Sequence, residues 1–190
     1  LKAAAQGLAA GFGEDVSVAD AKAAFEEHAA AFGIDLSVYN SLDEEQKLEG
    51  IGILKEQLAP YADQFQTYID ETDDIDEIRA FAAFVGDAIE VFSNLKLAED
   101  AIEALFDGEE LAENVNQEAI TAAQEQLDKV KDYEGEGWHA GELKALIPSL
   151  LEEPQARIDE AQRLLDYSSD LGKLKAAAQG LAAGFGEDVS

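Results

Sequence analysis

The sequence predicts an all-α protein organised as two consecutive small helical bundles within a 173-residue tandem repeat. Three observations carry that reading. Apolar residues recur at three- and four-residue spacing almost throughout, and no stretch alternates as a strand does. Residues 74–94 hold an unbroken apolar seam. Finally, the first seventeen residues, LKAAAQGLAAGFGEDVS, return unchanged as residues 174–190, an offset of 173. Self-similarity at a fixed period marks a repeat architecture. Residues 1–173 therefore read as one period and 174–190 as the opening of the next; the alternative is a second copy added by design, although nothing in the segment looks like a tag or a linker. The expected division is a first bundle over 1–94, a second over 95–169, and the first helix of the next repeat over 170–190.

The first helix is clearest in its second copy, where Leu171, Leu174, Ala178, Leu181 and Phe185 form one stripe. Asp170 is placed to cap its start and Gly186 to sit just past its end. Ser17 reads as the N-cap of a second helix reaching Phe32. There Ala21, Phe25, His28 or Ala29, and Phe32 face inward, and Gly33 is the stop. The loop IDLSVYN leads to Ser41, which with Glu44 fits a capping box. That box opens a helix with Ile51, Leu54, Leu58 and Tyr61 on one side. Gly50 and Gly52 weaken its middle, each by about 1 kcal/mol relative to Ala, and Pro60 ends or kinks it. A short helix over 62–69 follows.

In the central seam, Ile75, Ile78, Ala82, Val85, Ile89 and Phe92 line up, widened by Phe81 and Ala88. Each large apolar side chain buried there contributes about 1.5–3 kcal/mol. A shorter helix over 97–106 ends at Asp107-Gly108. The next begins at Asn116 or the residue before it and carries Ile120, Ala123, Leu127 and Val130 on one face. A glycine-rich stretch, YEGEGW at 133–138, separates it from a helix over 142–151 that Pro148 interrupts. The last helix follows Pro154 with Ile158, Ala161 and Leu165. The divide between bundles falls near 94–97.

Charge and composition restrict the partners. The net charge is -29, from 13 basic and 42 acidic residues; leaving out the second copy, where Lys175 is outweighed by Glu187 and Asp188, gives -28 per period. A chain of such units repels itself and stays extended. No basic stripe is available for phosphates, which excludes nucleic acid, and an anionic membrane surface is disfavoured for the same reason. Cysteine is absent, so neither disulfides nor thiolate chemistry arise. No run reaches the 18 or more apolar residues of a membrane span. Methionine is absent even at position 1, and the sequence reads as an internal fragment, with any signal peptide or anchor lying outside it.

Two segments resemble known modules. Residues 23–47, AAFEEHAAAFGIDLSVYNSLDEEQK, followed by PYADQFQTYI, resemble helical repeats of large multi-module proteins on Gram-positive bacterial surfaces. Residues 101–130, AIEALFDGEELAENVNQEAITAAQEQLDKV, resemble another module of such proteins, related to a late domain of bacterial crystal toxins. Leu105-Phe106, Val115-Asn116-Gln117 and Ala122-Ala123-Gln124 carry that second likeness. The chain departs from the pattern before the following helix, where it has YEGEGWHAGE. The resemblance implies an extracellular stalk or spacer and no catalytic residues.

The candidates for chemistry are few. His28 and His139 each lack a second histidine or a cysteine at ligand spacing, and both read as structural. The acidic run holding Asp70, Asp73, Asp74 and Asp76 has the oxygen ligands calcium takes. An EF-hand loop opened by Asp70, however, would need glycine at Ile75 and glutamate at Phe81. The alternative is that Asp73 or Asp74 caps the central helix while its neighbours complement the helix dipole. Glu134 and Glu136 offer a weaker version of the same site. Trp138, in a glycine-rich loop, either contacts a partner or covers a bundle end. No nucleophile–base order, phosphate loop or zinc signature is present, so no enzyme activity is expected.

The sequence thus predicts a structural repeat of a long, acidic surface stalk or filament, joined to neighbouring repeats or end to end with other chains. Leu171, Leu174, Leu181 and Phe185 form the joint, and this helix is expected to run on closely from the one carrying Ile158 and Leu165. The alternatives are an adhesin repeat binding a host or matrix ligand and a repeat that responds to divalent cations.

Overall fold

The computed structural model describes residues 1–186. Eight helices and one very small hairpin follow in order. They are α1 (Lys2–Ala10), α2 (Val18–Ala29), α3 (Ser37–Asn40), α4 (Glu44–Leu58), α5 (Ala62–Glu71), α6 (Ile75–Glu103), β1 (Phe106–Asp107), β2 (Glu110–Leu111), α7 (Gln117–Lys131) and α8 (Ala140–Gly186). The chain is mostly all-α. The hairpin was not expected from the sequence: Phe106 pairs with Leu111 and Asp107 with Glu110 across a two-residue turn. Gly108 there has φ 67°, and a positive φ at the first turn position suits the twist of an antiparallel pair.

Local chemistry sets most of the starts and stops. Ser17 caps α2, its hydroxyl accepting from the Asp20 N–H at 3.1 Å. The capping box expected at Ser41 and Glu44 lies two residues later, between Asp43 and Gln46. Gln46 N–H donates to Asp43 Oδ1 and Asp43 N–H to Gln46 Oε1, both at 2.8 Å. Four residues of the expected loop form α3 instead. Pro60 lies in a 3₁₀ turn over Ala59–Tyr61 that separates α4 from α5.

Three expected interruptions are absent. α6 runs without a break across 94–97, where the sequence suggested a divide. The residues that read as a helix end are satisfied within or beside the helix. Ser93 Oγ donates to the Ile89 carbonyl at 2.6 Å, and the Asn94 side-chain and main-chain oxygens both accept from Gln126 on α7. Likewise α8 continues through Pro148 and Pro154. Each proline removes one hydrogen bond and crowds the carbonyl four residues back. Leu143, Ile147, Ile158 and Ala161 nevertheless stay buried along one side of α8, and that packing holds the helix together across both.

A single apolar core spans the body. α6 is its axis, packing against α1, α3, α4, α7 and α8. Phe65 of α5 sits at an aromatic cluster, with its ring centroid 5.0 Å from that of Phe12, 5.8 Å from Phe81 and 5.6 Å from Phe84. α7 and α8 are joined by two reciprocal amide pairs, Gln117 with Gln162 and Gln124 with Gln155. Beyond Leu165, α8 leaves the body, and every residue from Asp166 to Phe185 is exposed.

Candidate functional site

The repeated segment stands in two settings within one molecule. As residues 1–13 it lies in a groove formed by α2, α5 and α6, closed at one end by Lys55 of α4. As residues 174–186 it is the free end of α8. The contrast is sharpest at matched positions. Leu8 is 0% exposed and Leu181 69%; Phe12 is 1% exposed and Phe185 79%.

The groove reads the segment along its whole length. At the N-terminal end Lys2 Nζ lies 2.7 Å from Asp73 Oδ1 and donates to the Asp70 carbonyl at 3.2 Å. Gln6 Nε2 donates to Asp70 Oδ1 at 3.0 Å. The hydrogen bond from Lys2 holds the Asp73 carboxyl below its usual range. The clasp is therefore charged at neutral pH and is lost as pH falls through that lowered value. In the middle, Gly7 faces the His28 imidazole and Gly11 the Phe25 ring, while Phe12 packs at 5.0 Å from Phe25 and from Phe65. At the C-terminal end Lys55 Nζ donates to the carbonyls of Gly11 at 3.3 Å and Gly13 at 2.7 Å. Burial pushes that ammonium down. Acidic groups at the helix start and a cation at its end complement the helix dipole.

Most residues singled out from the sequence fall into structural settings. Asp70 and Asp73 hold α1. Asp74 caps α6 by accepting from the Asp76 N–H at 2.9 Å, so of the two expected caps Asp74 is the one used. Among the described residues no group of three or more His, Asp or Glu side chains converges to hold a metal ion. Glu134 and Glu136 are exposed on the loop. Trp138 is half-buried and covers the aromatic cluster, with centroids 4.5 Å from Tyr68, 5.6 Å from Phe65 and 5.3 Å from Phe81. Trp138 and its neighbour Tyr68 are both half-buried. His139 follows with φ 51°. Its Nδ1 lies 2.9 Å from Glu142 Oε1, yet the alignment is too poor for a hydrogen bond. No described helix is long and apolar enough to cross a membrane.

Of the joint residues, Leu171, Leu174, Leu181 and Phe185 are all exposed on the free end of α8. No helix begins at Asp170, which lies inside α8, and Gly186, expected just past the helix end, is itself helical and is the last residue described. The copies of Glu14–Ser17 at 187–190 lie outside the described residues. Lys2, Gln6, Lys55 and the paired glycines 7 and 11 were not legible as site residues. Their signal was available only by asking why an alanine-rich helix keeps two glycines on one side. The fold and groove define a helical body that binds the very sequence it also displays. Comparison with known proteins adds nothing to that: no protein-family model, no curated protein and no solved structure matches the chain.

Proposed function

We propose that this chain is a structural unit of a tandem array, in which the free end of α8 serves as α1 of the following unit. The observation that carries the reading is the pair Gly180 and Gly184. In an exposed helix each costs about 1 kcal/mol relative to Ala, and a Cβ at either would meet nothing. Their counterparts Gly7 and Gly11 make room for His28 and Phe25. The glycines are needed only in a docked helix, so the free copy is built for a groove like the one residues 1–13 occupy.

The unit is non-catalytic and its partners are its neighbours. A charge of -29 on 190 residues keeps an array apart from itself and from other acidic surfaces. The likeness to Gram-positive surface modules supports a stalk or filament outside the cell, spacing other domains. A two-period chain tests the linkage. In the 190-residue chain, Phe185→Ala leaves the urea midpoint unchanged because the side chain packs against nothing. In the two-period chain the same change costs about 3–5 kcal/mol, as a buried phenylalanine does. Equal midpoints for the two-period chain with and without the change would remove the proposal.

A further inference from the structure

We infer that the joint between units extends one to two turns upstream of the copied segment, with Tyr167 and Leu171 seated in the groove beside Leu1 of the following unit. This rests on the tandem reading above. The free stripe of α8 does not start at Leu174. Tyr167 and Leu171 lie seven and three residues before it, so the helical spacing keeps all three on one face, and they are 65% and 38% exposed. In a following unit Leu174 takes the place of Leu1, and Leu171 sits one turn further back on the side that faces the body.

That place is open. A groove of about 540 Å³ lies beside Leu1; Phe32, Ile34, Ala82, Ala83 and Gly86 form its apolar part, and four charged side chains, Arg79 among them, also line it. Ile34 packs so close to Gly86 that a Cβ there would stand 2.7 Å from its Cγ2. The groove floor is thus set by a glycine, and its mouth by exposed Ala83. Leu1 itself remains 48% exposed at the groove's edge. The occupant that fits is the segment preceding Leu174 in this same sequence, because an α1 helix continued backwards delivers Leu171 and then Tyr167 along the stripe that Leu1 already begins. The contact makes the joint more than a bare helix, since it anchors the connecting rod on both sides of the unit boundary.

The test adds residues 167–173, YSSDLGK, ahead of Leu1 in the 190-residue chain. The extension raises Tm by about 5 °C. Leu171→Asp within the added copy abolishes the gain. Ala83→Arg on the groove wall also abolishes it, while leaving Tm of the unextended chain within about 1 °C, as expected of an exposed site. An unchanged Tm on extension, or a gain that survives both substitutions, overturns the inference. The repeat reading is checked separately by the coding sequence upstream of Leu1. If YSSDLGK stands there and the extension has no effect, the docking fails while the array stands. If it does not stand there, the array reading fails.

Discussion

Gly7 and Gly180 occupy the same place in identical sequences, yet the same substitution at each has opposite consequences. A Cβ at Gly7 would lie 2.2 Å from the His28 ring, so Gly7→Ala must displace an imidazole or the helix. Overpacking of this kind costs about 1–3 kcal/mol. At Gly180 the space is open, and the change only strengthens an exposed helix, by up to about 1 kcal/mol of local stability. Denaturant unfolding of Gly7→Ala therefore shows a lower midpoint, whereas Gly180→Ala shows an unchanged midpoint and slower amide exchange along 174–186. A destabilised Gly180→Ala would mean that the free copy already packs on something in the single chain. The residue scale is also where sequence reading was least sharp. Ser17 as a cap was legible because only one hydroxyl precedes the apolar run. The box at Asp43 and Gln46 was missed because Ser41 and Glu44 satisfy the same spacing, and nothing short of the helix's first turn distinguishes them.

At the scale of elements, the apolar stripes of α2, α4, α6 and α7 were legible, because a 3.6-residue period leaves a pattern that packing then uses. Continuity was harder. Ser93-Asn94 and the prolines of α8 look like ends, and a local reading weighs them as ends. Tertiary bonds from Gln126 and the buried side of α8 override them. The two prolines are not equivalent, since Pro154 is buried and Pro148 is exposed. Pro148 thus carries the backbone penalty with little packing in return. Pro148→Ala restores an N–H for the Lys144 carbonyl and relieves the clash with it. Urea unfolding should show a gain of about 1–3 kcal/mol, well short of the intrinsic difference only if the helix already bends to accommodate the ring. A loss of stability would show that the break belongs to the fold rather than burdening it.

For the whole molecule, two identical stretches of seventeen letters motivate the proposed period, and the course of α8 gives that proposal a mechanical consequence. Two sources of stiffness are available to an array, and they respond differently to salt. A charge of -28 on each period would extend neighbours by repulsion, and that contribution fades once the screening length falls to about 3 Å at 1 M salt. A continuous helix does not depend on screening. The two faces of α8 also place the bodies. At 3.6 residues per turn, the stripe of Leu143, Ile147, Ile158 and Ala161 and that of Leu171, Leu174, Leu181 and Phe185 lie roughly 150° apart around the helix, with centres about 40 Å apart along it. In the proposed array, successive bodies then stand on nearly opposite sides of the rod and do not brace one another directly. The absence of native cysteine allows a single spin label at Glu109→Cys in each unit of a two-period chain. Pulsed dipolar spectroscopy should give one narrow distance distribution, unchanged between 0.05 and about 1 M salt. A distribution that broadens and shortens at high salt would assign the extension to charge and leave α8 a flexible tether.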